Sequence, residues 1–327
     1  MNSNFPINNF CIEAIRKMNE YGALRVPFLF IVDFEMNKPI VLNADEISKS
    51  KIRFAIGEKK IAETQKKIHF KTYPVEFEKY AEAFDYVVHQ ISLGNSYLTN
   101  LTFPTQLETN LSLEEIYTHS GARYKLLLED KFVVFSPECF VKIEDGTISS
   151  YPMKGTIDAS IPSAEEIILN DEKEMAEHIT IVDLIRNDLS IIAKDVHVEK
   201  YRHIEKIETN KKSLLQVSSK IVGELQENYH ERIGDLIFSM LPAGSISGAP
   251  KKKTVEIIQN AEKLERGYYT GVFGYYDGNN LDSAVMIRFI EQTPDGLVYR
   301  SGGGITFMSD VNSEYQELID KVYVPFT

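Results

Sequence analysis

The sequence predicts an α+β fold rather than a doubly wound parallel sheet, and three observations carry that expectation. Short runs rich in Val, Ile, Phe and Tyr, bounded by Gly, Pro or Asp, read as strands: FLFIVDF (28–34), KFVVFS (131–136), CFVKIED (139–145), GVFGYYD (271–277) and SAVMIRFIE (283–291). Longer charged stretches, roughly 75–93, 165–193, 229–241, 251–263 and 310–322, carry apolar residues at helical spacing. The two kinds of segment cluster irregularly, without the strand and helix alternation that a parallel sheet requires. The 327 residues, 43% of them hydrophobic, can bury a sizeable core. No fixed-period repeat, low-complexity tract or long Gly/Ser or Pro linker marks a boundary, so residues 1–327 are expected to form a single domain.

Composition narrows the function classes. A formal net charge of −12 argues against a broad phosphate-backbone footprint, so nucleic acid is not an expected partner. The first twenty residues, MNSNFPINNFCIEAIRKMNE, lack a charged segment followed by an apolar one, and no later apolar run approaches a membrane span. The expected location is therefore the cytoplasm, with no membrane partner. Cys11 and Cys139 lie far apart with no CxxC spacing, which suggests neither a disulfide framework nor a zinc site.

Two acidic pairs stand out on helical stretches. In EKEMAEHITIVDLIRNDL (172–189), Ile179, Val182, Ile185 and Leu189 form an apolar stripe, and Glu174 and Glu177 flank it at i and i+3. Such carboxylates share a helix face and repel each other unless a cation, a lysine or water lies between them. In SDVNSEYQELIDK (309–321), Ser309 or Asp310 can cap a helix on which Glu314 and Glu317 repeat the spacing. Taken alone, each pair also reads as an ordinary solvated face. Converging, the two would offer oxygen donors suited to Mg2+, with retained waters and an anionic substrate completing the site.

Three further segments carry candidate chemistry. LPAGSISGAPKKKTVEII (241–258) reads as a loop feeding a helix N-terminus, where anions are attracted, but its glycine spacing and proline exclude a Walker A loop. SGGGIT (301–306) either turns the chain or offers the backbone N–H groups of Gly302, Gly303 and Gly304 to a carboxylate. YPMKGT (151–156) sets Lys154 before Gly155 and Thr156, 16 residues after Glu138 in SPECF, with a hairpin turn at Asp145-Gly146 between them. A lysine is a nucleophile only when neutral, and a carboxyl is an acid near neutrality only with a raised pKa. The segment by itself equally fits a surface lysine after a proline turn.

SPECF, YPMKGT, KEMAEHITIVDLIRNDL, PAGSISGAPK, RGYYTGVFGYY, MIRF, GGGIT and SEYQELIDK occur in one order, and that ordered set resembles the motifs of the chorismate-utilising enzymes. The resemblance covers about residues 80–325 and leaves 1–79 as a shortened N-terminal part of the same fold, without a tryptophan-binding regulatory site. It implies a large two-sheet sandwich with outer helices and a cleft for chorismate. It further implies Glu177 and Glu317 as Mg2+ ligands and Glu174 and Glu314 as partners acting through water. Gly155, Thr156, Tyr269, Arg288 and Gly302 to Gly304 match substrate-contacting positions, Arg288 suiting the enolpyruvyl carboxylate. Lys321, four residues after Glu317, is expected at the ring carboxylate.

Within the family, YPMKGT is similar to the PIKGT of aminodeoxychorismate synthases, whereas anthranilate synthases usually carry alanine at the place of Lys154. The activity so implied converts chorismate and ammonia to 4-amino-4-deoxychorismate for 4-aminobenzoate and folate synthesis, with Lys154 as nucleophile and Glu138 as acid. Leu98 replaces the lysine base that isochorismate and salicylate synthases use to activate water. Neither cysteine lies in a Gly-x-Cys-x-Gly elbow, so ammonia is expected from solution or from a separate glutamine amidotransferase subunit. The alternatives are anthranilate synthase component I and a catalytically weak chorismate-binding regulatory subunit. Gln216, where many relatives have histidine, and the IDAS segment (157–160) after KGT depart from the family pattern.

Overall fold

The computed structural model describes residues 8–57, 66–208 and 213–325. Among them two antiparallel sheets form, one of nine strands and one of eight. The first runs in the order Met153–Asp158, Ser213–Glu224, Thr147–Ser150, Cys139–Glu144, Leu281–Val285, Val272–Tyr276, Phe28–Val32 and Ile40–Asn43, with Lys194–Glu208 also paired to Ser213–Glu224. The second runs Gly248–Ala249, Leu98–Thr109, Gly296–Ile305, Phe289–Thr293, Phe132–Ser136, Tyr124–Leu128 and Ile52–Ile56, with Phe70–Tyr73 added to Leu98–Thr109. No helix among the described residues is long and apolar enough to cross a membrane.

The Phe28–Val32 strand explains why its sequence is apolar throughout rather than alternating. Successive side chains of a strand point to opposite faces. Leu29 and Ile31 pack with Ile52, Leu126, Phe132 and Phe289 between the two sheets. Phe28, Phe30 and Val32 face the other way, against Ile15 and Met18 of the Asn9–Ala23 helix and Ile233 and Ile237 of the Ile233–Ser239 helix. Every residue of the strand is buried, each large side chain contributing on the order of 1.5–3 kcal/mol. The outer side of the second sheet is covered by the Phe77–Ser92, Lys251–Glu262 and Val311–Asp320 helices through Tyr80, Val87, Ile257 and Leu318. The two-sheet sandwich with outer helices is thus the architecture observed.

The expected elements are largely present, with two informative differences. The stretch 165–193 is two helices, Ala164–Asn170 and Glu172–Ser190, because Asp171 leaves the helical conformation and its side chain accepts from the Glu174 N–H at 2.9 Å. The run 283–291 is not one strand. It is divided between Leu281–Val285 in the first sheet and Phe289–Thr293 in the second. The chain changes sheets through Met286, Ile287 and Arg288, and Arg288 takes φ +53°, a left-handed conformation that ends the extended run.

A second crossing lies beside the first. Phe132–Ser136 belongs to the second sheet and Cys139–Glu144 to the first, with Pro137 and Glu138 between. The crossings are tied by backbone hydrogen bonds: Val285 N–H donates to the Glu138 carbonyl at 3.2 Å and Phe135 N–H to the Arg288 carbonyl at 3.1 Å. Glu138 and Arg288 are therefore placed by the same structural event, the exchange of strands between sheets.

Candidate active site

Lys154 is aimed by a bulge. In the pairing of Met153–Asp158 with Ser213–Glu224, Met153 lies opposite Ser218 but Thr156 opposite Gln216, so one extra residue is inserted at Lys154-Gly155. Bulges bend a strand and re-aim its side chains. Gly155 adopts φ +80°, and a Cβ there would stand 3.2 Å from Ile168 Cγ1 and 3.7 Å from Glu174 Oε2. Glycine is what allows the backbone this turn and the Glu174 carboxylate this approach.

The redirected Lys154 side chain donates from Nζ to Glu177 Oε2 at 2.6 Å. Burial pushes its pKa down, but Glu177 first, then Glu174 and Glu317, outweigh that influence, and the net shift is upward. Opposite stands the Gly296–Ile305 strand. A Cβ at Gly304 would lie 3.8 Å from Lys154 Nζ and 3.0 Å from Leu98 Cδ1, and one at Gly303 would lie 3.2 Å from Glu314 Oε2 and 3.5 Å from Glu317 Oε1. Lys321 completes this wall, its Nζ 2.5 Å from Glu317 Oε1 and 2.9 Å from the Gly302 carbonyl.

Gly302, Gly303 and Gly304 form neither a turn nor a run of successive free N–H groups. They are strand residues opposite Thr102, Leu101 and Asn100. In such a ladder only alternate residues direct N–H away from the partner strand, which limits how many the cleft can use. Their missing side chains matter more directly, since they clear the space in which the carboxylates and Lys154 meet.

Glu138 lies in the same electrostatic neighbourhood. Its Oε1 accepts from the Ser245 hydroxyl at 2.5 Å. Burial raises its pKa, and the Ser245 hydrogen bond, Lys154, Arg288 and Lys321 only partly offset the rise. Arg288 has its guanidinium 5.2 Å from the Tyr323 ring centroid, and its buried Nε has no hydrogen-bond partner. Tyr269 is buried, its pKa pushed up to about 12, chiefly by burial, with Arg288 among its charged neighbours. Thr156 is exposed, and its hydroxyl accepts from Gln216 Nε2 at 3.5 Å, so the glutamine in the histidine position meets the strand that carries Lys154.

The IDAS segment continues that strand through Ile157 opposite Leu215 and Asp158 opposite Leu214. Asp158 Oδ1 then accepts from the Ser160 N–H at 2.9 Å and closes a turn.

All fourteen candidate residues are described, and contacts and charge interactions link Lys154, Lys321, Glu138, Arg288, Tyr269 and the four glutamates, with the glycines between them, into one neighbourhood. Ser245 is the member the sequence reading missed. Its segment, PAGSISGAPK, was expected to act through a helix terminus rather than through a hydroxyl, and nothing local in sequence connects it to Glu138, 107 residues earlier. Ile179 also departs from expectation. It is 49% exposed, not part of the apolar stripe, and with Glu177, Tyr97, Tyr201, Phe307 and Met308 it lines a cavity of about 920 Å3. Val182, Ile185 and Leu189 are buried as expected, and Ile181 and Leu184 join them.

Four carboxylates with hard oxygen donors fit a divalent cation such as Mg2+ chemically. Among the described residues no three His, Cys, Asp or Glu side chains are gathered as a ready ligand cluster. Lys154 and Lys321 stand among the glutamates instead.

The candidate site thus joins a carboxyl and a guanidinium placed by the strand crossings of a two-sheet sandwich to two lysine–glutamate pairs carried by a bulge and two helices. Residues 30–326 match the model of the chorismate binding enzymes, and the chain belongs to that family. It is 50% identical over 314 residues, 95% of this chain and 96% of the relative, to a Haemophilus influenzae protein named "uncharacterized PabA-like protein". It is 32% identical over 265 residues to anthranilate synthase component 1 of Mycolicibacterium smegmatis, covering 75% of this chain and 49% of that one. Among solved structures, anthranilate synthase component I of Streptococcus pneumoniae superposes with TM-score 0.67 at 26% identity, over 80% of this chain and 60% of that one. A Bacillus anthracis protein described as a 2,3-dihydroxybenzoate-specific isochorismate synthase has the same fold, with TM-score 0.73 at 18% identity over 96% of this chain and 87% of that one.

Proposed function

We propose that this enzyme is an aminodeoxychorismate synthase component I, which aminates chorismate at C4. The observation that carries the reading is Lys154, turned by a glycine bulge into a cleft where Leu98, not a base, forms the adjoining wall. Leucine cannot activate water, so attack by water at C2 is disfavoured. The high identity to a relative with a PabA-like name, against 32% to an anthranilate synthase component 1, is in keeping with the same reading.

Neutral Lys154 attacks C2 of the ring, the ring double bond shifts, and the C4 hydroxyl leaves as water with the proton of Glu138. Ammonia then adds at C4, the double bond shifts back, and the C2–N bond breaks to release Lys154 as the amine. The ammonium so formed at C4 returns a proton to Glu138. One difficult substitution becomes two easier ones, and the enolpyruvyl group is retained. Burial keeps Glu138 protonated above the ordinary carboxyl range, as an acid requires. Lys154 must lose its proton, and Glu177 is the largest influence opposing that loss. Arg288, lacking a carboxylate partner among the described residues, is suited to pair with the enolpyruvyl carboxylate.

Glu174, Glu177, Glu314 and Glu317 would hold Mg2+, which when bound would anchor the ring carboxylate as a Lewis acid. Ammonia would come from solution or from a separate glutamine amidotransferase subunit, since Cys11 and Cys139 are both buried and neither is placed as a glutaminase nucleophile. The test is product identity. Incubation with chorismate, Mg2+ and an ammonium salt should yield 4-amino-4-deoxychorismate, and anthranilate as the sole product would overturn the assignment.

A further inference from the structure

Lys154 and Glu177 belong to different elements, and a second link joins those elements behind the pair. His178, the residue after Glu177 on the Glu172–Ser190 helix, is 1% exposed, and its Nε2 stands 2.7 Å from the Ser219 hydroxyl. Ser219 lies on the Ser213–Glu224 strand, where its backbone N–H donates to the Pro152 carbonyl at 3.0 Å, two residues before Lys154. Its neighbour Ser218 pairs with Met153, the last residue in register before the bulge at Lys154-Gly155. The Ser219 hydroxyl also accepts from the Arg202 N–H at 2.9 Å. That contact pins a second bulge: Lys200 lies opposite Lys220 and His203 opposite Ser218, so Tyr201 and Arg202 together face Ser219. Two bulges thus adjoin on one strand, and His178 ties the point where they meet to the helix of Glu177.

Stability does not account for this ring. His178 Nδ1 is buried with no hydrogen-bond partner among the described residues. Leaving a buried polar group unpaired costs about 1–3 kcal/mol, a cost that an apolar side chain of similar size would avoid. What the ring supplies is a fixed distance between the strand end that carries Lys154 and the helix turn that carries Glu177. The direct hydrogen bond between Lys154 and Glu177 cannot hold that distance throughout, since in the proposed amination it is given up when the Lys154 nitrogen bonds to C2. The link through His178 and Ser219 includes no reacting atom and survives that step.

We propose that His178 is a positioning residue for the amination: through Ser219 and Pro152 it holds the bulge so that the Lys154 nitrogen stays aimed at the ring once it has left Glu177. The inference rests on the reading of Lys154 as the nucleophile and adds a residue to which that reading gives no part. Misplacing a reacting group by about 1 Å can cost about 10²-fold in rate. The link acts on the reacting step rather than on chorismate binding, so its loss falls on kcat and not on KM.

The experiment measures 4-amino-4-deoxychorismate formed by the full chain from chorismate, Mg2+ and an ammonium salt, with melting followed by circular dichroism. His178→Asn, whose amide matches the place of Nδ1 rather than Nε2, should lower kcat about 10²-fold with the chorismate KM within about threefold of wild type. His178→Gln, whose longer side chain brings an amide to the place of Nε2, should recover at least about tenfold of that loss. Ser219→Ala should match His178→Asn and carries the test if His178→Asn does not fold. The double variant should be no more than about threefold slower than either single one, since the two ends of one link are not lost twice. Folded variants with wild-type kcat, losses that multiply in the double variant, or a His178→Gln as slow as His178→Asn overturn the positioning role and leave the amination reading standing. So does a loss of kcat that merely follows a fallen melting midpoint. A Lys154→Ala variant as fast as wild type overturns the amination reading itself, and this inference with it.

Discussion

Two lysine–carboxylate pairs of the same chemistry lie on the Glu172–Ser190 helix and have opposite fates. Lys251 Nζ meets Asp188 Oδ1 at 2.7 Å, with both side chains about one-tenth exposed at 10% and 11%, and it also donates to the Met240 carbonyl at 2.7 Å. Lys154 meets Glu177 at 2.6 Å but faces Glu174 and Glu317 as well. Burial pushes the Lys251 pKa down more than its one partner raises it, whereas three carboxylates override burial at Lys154. An enclosed pair with one charged partner each fastens structure. Lys154 is instead held by charge from several carboxylates beside a cleft. The fastening has a purpose, because Asp188 lies against Gly244, where a Cβ would stand 2.8 Å from its Oδ2, in the loop that brings Ser245 to Glu138.

The strongest way to break this contrast is at its open member. Lys154→Ala should lower the rate of chorismate amination by about 10³-fold, the scale expected when a positioned reacting group is lost, while the protein keeps its fold. An unchanged rate and product would remove the nucleophile role. At the enclosed member the order of effects reverses. Lys251→Met leaves Asp188 buried without its cation and should cost about 3–5 kcal/mol in a urea unfolding curve, because breaking one side of a buried pair strands the other charge. Lys251→Met combined with Asp188→Leu should recover much of the loss. A single variant as stable as wild type would mean that the pair is not enclosed in solution.

The contrast also separates what the sequence discloses from what it cannot. Glu138, Lys154, the four glutamates and the three glycines are legible because their motifs are local and come in a fixed order. The strands and most helices are legible because apolar spacing reports which faces are buried. The bulge at Lys154-Gly155 is not, because it exists only relative to the register of Ser213–Glu224, some sixty residues later in the chain. The split of 283–291 is hidden for a similar reason. Met286, Ile287 and Arg288 carry no turn residue, and their departure from strand geometry is imposed by two sheets competing for the flanking segments. Ile179 fits the helical stripe by spacing, yet the face it occupies borders a cavity, a matter decided by Tyr97 and Phe307 from distant segments.

A smaller effect sharpens the link between the fastened loop and the acid. The Ser245 hydroxyl lowers the pKa of Glu138 against the larger upward influence of burial. Ser245→Ala should therefore raise it further. In the proposed amination Glu138 acts protonated, so activity is present below its pKa and lost as pH rises through it. The alkaline fall attributable to Glu138 in the kcat profile should move to higher pH, with the rate at the optimum changed by no more than about tenfold. A profile shifted to lower pH, or one that does not move, would detach Ser245 from the acid.

The smallest effect tests enclosure where no cleft is involved. His230 lies on the far side of the first sheet, its Nδ1 2.7 Å from the Tyr276 hydroxyl and its ring centroid 3.8 Å from that of Tyr229. Burial first, then the charge of Arg25, lower its pKa from the ordinary 6.5. The unfolded chain thus takes up a proton at a pH where the native protein does not. The stabilisation is fully present above pH 6.5 and is lost as pH falls from there through the native value. His230→Gln can retain a hydrogen bond to Tyr276 but has no proton to gain. Its urea midpoint should fall less steeply than that of wild type between about pH 7 and pH 5, with amination at pH 8 unchanged. Parallel slopes would mean that His230 is already solvated in the native protein, and an altered amination rate would mean that the sheet beneath it transmits strain to the cleft.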